Sequence, residues 1–160
     1  MMESFSLPSE QDFVPHPNDL DAACAWRNFG GLTIDEAKAK FRDRPEIHQE
    51  DFTFMGGKAF AYYFPVIEDY LKSNADDEYD DDHHAWILAM GIQNQSAPHN
   101  VVHVRHLSER ILELSQYVRG NIDRFGENDA ERQRVAEAWA DLTRMIQVDN
   151  LANPPQGGPN

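Results

Sequence analysis

Two stretches decide the fold: VVHVRHLSERILELSQYVRGN at 101–121 and NDAERQRVAEAWADLTRMIQ at 128–147. In the first, Val104, Leu107, Ile111, Leu114 and Val118 step by threes and fours, the seam of a helix that buries one side. In the second, Val135, Ala138, Trp139, Leu142, Met145 and Ile146 repeat the pattern, and Asp129 and Glu131 suit the positive end of the helix dipole. The connection around Gly126 is short, so the spacing predicts two long antiparallel neighbours, a C-terminal helical hairpin.

Working back from the hairpin, HHAWILAMGI at 83–92 is apolar on nearly every side, as expected of a short central helix, with 93–98 as its exit loop. From 58 to 73, Phe60, Tyr63, Phe64, Ile67, Tyr70 and Leu71 mark another buried face. Pro65 lies within it and predicts a kink or a break near Phe64, because proline lacks the backbone donor and clashes with the preceding turn. Thr33 and Glu36 fit a capping box, Pro45 ends the helix that follows, and 46–55 reads as one or two further turns. Asn18 is the expected cap of the first helix, which closes at Gly30 and Gly31. No segment alternates as a half-buried strand does. The expectation is an all-α single domain of six or seven helices over 18–148, preceded by an irregular arm (1–17) and followed by a disordered tail (149–160). Phe5, Leu7 and Phe13 are placed to pin the arm to the core.

Composition narrows the function classes. Of 160 residues, 28 are acidic and 14 basic, a formal charge of −14. That charge repels nucleic-acid phosphates and anionic lipid, so no nucleic-acid or membrane partner is expected. Residues 1–82 hold 19 acids against 7 bases and the remainder 9 against 7, so a cationic partner should approach the first half. The N-terminus lacks a basic region followed by an apolar run, and no stretch reaches the roughly 20 apolar residues of a membrane span. A cytoplasmic location follows, and Cys24, the single cysteine, excludes an intramolecular disulfide.

Chemistry-bearing patterns are sparse. His99, His103 and His106, at i, i+4 and i+7, would lie on one helix face and offer imidazole nitrogens to a transition metal, giving a metal-dependent enzyme or sensor as the alternative reading. The simpler reading is a polar edge beside the Val104 seam, so no cofactor is assigned. Asp80, Asp81, Asp82, His83 and His84 cluster, but the glycine and terminal glutamate of a calcium-binding loop are missing. No nucleophile elbow, zinc-binding helix, phosphate loop or dinucleotide loop is present, so catalysis has no positive support.

Aromatic density is the remaining anomaly, with seven aromatics in 52–70 among Glu46, Glu50, Asp51, Glu68 and Asp69. Helical geometry cannot turn Tyr62, Tyr63 and Phe64 one way, so Tyr62 is expected at the surface among carboxylates. Glu50, Asp51, Tyr62 and the loop residues Asp76, Asp77, Glu78, Tyr79, Asp80 and Asp81 form the expected docking surface for a basic protein. A homodimer through apolar surface left over on the hairpin (Leu107, Ile111, Leu114; Trp139, Leu142) is a further option.

The run Trp26, Phe29, Gly30, Gly31, Leu32, Thr33, Glu36, Ala37, followed by Met55, Gly56, Ala59, Phe60, Tyr62, Tyr63 and Pro65, resembles small uncharacterised bacterial all-helical proteins. Some proteins of that sort are immunity partners encoded beside secreted toxins. The resemblance covers 26–71 and implies an immunity or inhibitor protein that occludes a basic effector. It carries no functional residues across.

Overall fold

The computed structural model describes residues 6–73 and 84–153, and every regular element among them is helical. In chain order these are α1 (Glu10–Phe13), α2 (Leu20–Phe29), α3 (Ile34–Asp43), α4 (Pro45–His48), α5 (Asp51–Phe54), α6 (Gly57–Lys72), α7 (His84–Asn94), α8 (Pro98–Val104), α9 (Ser108–Gly120) and α10 (Asp129–Ala152). Short 3-10 turns lie at Arg105–Leu107 and Ile122–Arg124. Seven of these α-helices run seven residues or more, in agreement with the periodicity; α1, α4 and α5 are single turns.

Local signals set the helix starts. Thr33 Oγ accepts from the Glu36 backbone N–H while the Glu36 carboxylate accepts from Thr33, so two otherwise unpaired donors of α3 are satisfied at once. Asn128 caps α10 through the Glu131 N–H. Asp19, one residue beyond the expected Asn18, caps α2. Gly31 holds φ +81° beyond the end of α2, a left-handed conformation that glycine adopts without cost. The N-terminal arm is not irregular throughout: Ser9 and Asp12 form a second capping box, and α1 drives Phe13 into the core against Trp26 (5.3 Å) and Tyr63 (5.8 Å). Leu7 remains 39% exposed, and Phe5 lies outside the described residues.

Of the two outcomes expected near Phe64, a kink or a break, the break does not occur: α6 is unbroken through Pro65. A proline inside a helix costs about 3 kcal/mol. Phe60, Tyr63, Phe64, Val66, Ile67 and Leu71, on both sides of it, are buried, each worth roughly 1.5–3 kcal/mol, which outweighs the lost hydrogen bond. Conversely, 101–121 is not one helix. α8 begins at Pro98, and the 3-10 turn at Arg105–Leu107, with Val104 at φ −114° and ψ −7°, separates it from α9. The break lets α8 lie against α6 while α9 turns to α10, so that Val104 and Leu107 are both buried.

The C-terminal hairpin is present. Arg105 meets Asp149, and Ser115 bonds the Trp139 carbonyl (3.3 Å) and Thr143 Oγ1 (2.7 Å), so early residues of one arm face late residues of the other, as in an antiparallel pair. α10 continues past Gln147 to Ala152, so the first residues assigned to the tail are helical; residues 154–160 lie outside those described. Leu107, Ile111, Leu114, Trp139 and Leu142 are at most 3% exposed, which corrects the expectation that the hairpin seam leaves surface for a second copy. α7 packs between α5 and α10, with Trp139 Nε1 donating to the Ala85 carbonyl (3.0 Å). It is not enclosed on all sides, since Met90 is 48% exposed.

Candidate functional site

The segment 45–55 forms a nearly continuous helical winding although it is divided into two single turns. Pro45 supplies a preset φ at the first position of α4, and Gln49 (φ −60°, ψ −30°) and Glu50 (φ −87°, ψ −9°) stay in the right-handed helical region. Residues three and four apart therefore share a side. One stripe carries His48, Asp51, Phe52 and Met55, all buried; the other carries Ile47 (50% exposed), Glu50 and Phe54 (39% exposed).

Polar bonding in a dry environment holds the inner stripe. His48 Nδ1 and Asp51 Oδ2 lie 3.3 Å apart, and Asn28 Nδ2 on α2 donates to the same oxygen at 2.9 Å. The His48 ring stands edge-on to Phe29 at 5.4 Å, and Lys40 on α3 donates to the Asn28 carbonyl. Burial raises the Asp51 pKa above the usual carboxylate value, against the opposing hydrogen bonds from Asn28 and His48. This His–Asp pair resembles the orienting half of a general-base system. However, among the described residues no hydroxyl or thiol bonds the imidazole, and Cys24 meets only the Asn28 amide, at 3.8 Å. The cluster therefore acts as a latch, tying α4 and α5 to α2 and fixing which stripe faces outward.

The outer stripe is apolar and acidic. Ile47 and Phe54 flank Glu50, and Glu46 is paired with Arg44 at 2.7 Å. α7 borders it: Asn94 Nδ2 donates to the Thr53 carbonyl (2.7 Å), and a Cβ at Gly91 would meet Thr53 Oγ1 at 2.9 Å, so α5 and α7 approach closely there. Met90, next to Gly91 in sequence, is an exposed apolar side chain on α7.

The expected site residues are only partly brought together. Glu50 faces solvent as expected, whereas Asp51 is 7% exposed and turned inward, because one residue of helical rotation separates the two stripes. Tyr62 is half-buried on α6 with its ring against Tyr63 (4.9 Å), on a different element from Glu50. Asp76, Asp77, Glu78, Tyr79, Asp80 and Asp81 lie outside the described residues. Glu68 and Asp69 are engaged by Arg110 and Arg42. The 3-10 turn at Arg105–Leu107 interrupts the helix on which His99, His103 and His106 were expected to share a face, and His99 packs edge-on to His16 at 5.4 Å. Among the described residues no group of three His, Cys, Asp or Glu is placed to hold a metal ion. No described helix is long and apolar enough to cross a membrane.

The sequence reading missed Ile47, Phe54 and Met90 as surface residues and Asn28 and His48 as latch residues. The i, i+3, i+7 spacing of Ile47, Glu50 and Phe54 was the signal that could have found the outer stripe. No known family model, curated protein or solved structure matches the chain.

Proposed function

We propose that the protein is an acidic protein-binding module whose α4–α5 face docks a basic partner, occluding an effector or toxin as an immunity protein does. The observation that carries this reading is the pairing of a latched inner stripe with an outer stripe of exposed Ile47 and Phe54 around Glu50. Apolar anchors ringed by charge are the usual composition of an interface hot spot, and a rigid scaffold lowers the ordering cost of binding. The formal charge of −14, concentrated in residues 1–82, favours encounter with a cationic surface and repels an anionic one. Occlusion requires no catalytic group.

The test is capture of neighbouring gene products on immobilised protein at low and at moderate salt. A basic protein should be retained at low salt, more weakly at moderate salt, and poorly by Phe54→Ala. Recovery of no protein at low salt would remove the reading.

A further inference from the structure

The last turns of α10 present a second surface of different character, and we propose that it is a weak self-association face, docking the same face of a second copy of this chain. Met145, Val148 and Leu151 are 38%, 65% and 83% exposed, and their i, i+3, i+6 spacing puts them along one outer flank. Ile146 on the same turns is buried, and Asp149, one turn after Met145, is held inward by two bonds from the Arg105 guanidinium, at 2.9 and 3.1 Å. The inward side of these turns is thus already occupied, and only the outer flank is unpartnered.

Charge selects the occupant. Asp141 pairs with Arg144 and Asp149 with Arg105, so the charges of this end of α10 cancel within the chain. A basic partner gains nothing here over the acidic first half of the sequence. A second copy, itself at −14, meets steep repulsion wherever acids are in excess, and approaches most easily at a neutral apolar patch. A two-fold contact places the same flank on both sides, which requires a self-complementary surface, and an apolar stripe without net charge is one. A few side chains per copy fall well short of the roughly 800 Å² per partner of a standard interface, so the dimer is weak and concentration-dependent.

This contact and partner docking at α4–α5 respond to salt in opposite directions, which separates the two. Screening weakens attraction to a basic protein but relieves repulsion between two acidic copies. The experiment is sedimentation equilibrium of the isolated full chain over a concentration series at low and high sodium chloride. The expected result is a shift from monomer towards dimer with concentration, strengthened by salt. Leu151→Glu and Val148→Glu should each restore the monomer at every salt, with helical circular dichroism and melting unchanged because both sites are exposed. Phe54→Ala should leave the association intact. A monomer throughout, association that salt weakens, or a dimer indifferent to both glutamate variants would overturn the proposal. So would a strictly monomeric protein whose captured partner is lost on Leu151→Glu, since the flank would then belong to that partner.

Discussion

Replacing Asp51 tests whether the buried latch holds the α4–α5 face in place. The Asp51 and His48 side chains are 9% and 7% exposed, so Asp51→Ala strands the His48 imidazole and the Asn28 amide together without their shared acceptor. Leaving a buried hydrogen-bonding group without its partner costs about 1–3 kcal/mol, so stranding two of them costs about 3–5 kcal/mol together. A domain of this size has a total stability of roughly 5–15 kcal/mol, so the loss is a large fraction of the whole. With a urea slope of about 2 kcal/mol per molar, the unfolding midpoint should fall by about 1.5–2.5 M. Asp51→Asn behaves differently. An amide oxygen in the Oδ2 position keeps the acceptor that Asn28 and His48 share, and the change removes a carboxylate whose charge is disfavoured by burial, so its cost should stay under about 1 kcal/mol. Urea unfolding followed by circular dichroism measures both. A loss below about 1 kcal/mol for Asp51→Ala, or equal losses for the two variants, would refute the latch.

Other outcomes follow from the same contacts. Phe54→Ala removes an exposed anchor and should weaken partner binding by about 1–2 kcal/mol, chiefly through faster dissociation, with little change in melting; surface plasmon resonance separates the rates. Glu50→Gln should instead slow association and flatten its salt dependence. Pro65→Ala restores a backbone donor inside an unbroken helix and should raise stability by about 1–2 kcal/mol, after allowing for the freer unfolded chain. Burial, aided by Tyr62, lifts the Tyr63 hydroxyl from 10.0 to about 12. The folded state holds that proton more tightly, so this share of stability is present below pH 10.0 and lost as pH rises through about 12. Tyr63→Phe should remove that alkaline slope in melting experiments.

The fold was more legible than the site. The repeats from Val104 to Val118 and from Val135 to Ile146 specified a hairpin because steps of three and four residues match the turn of a helix and not the two-residue alternation of a strand. At Pro65 and at the turn after Val104, local propensity is set against tertiary burial, and burial decides that α6 stays unbroken and that 101–121 is divided. At the site, acidity was visible but direction was not. Glu50 and Asp51 are adjacent in sequence and opposite in space, and only the phase of the winding from Pro45 to Phe54, set by His48 and Phe52 packing inward, separates them. Asn28, 23 residues away in sequence, carries no local sign that it closes the latch.

Docking of a basic protein on the apolar stripe around Glu50 is tested most directly by calorimetry at low salt, with the captured partner titrated into wild-type protein, Phe54→Ala and Ile47→Ala. A clear loss of affinity in both variants, with unchanged melting temperatures, is the expected result. Full-strength binding by the Ile47→Ala, Phe54→Ala double variant would contradict it.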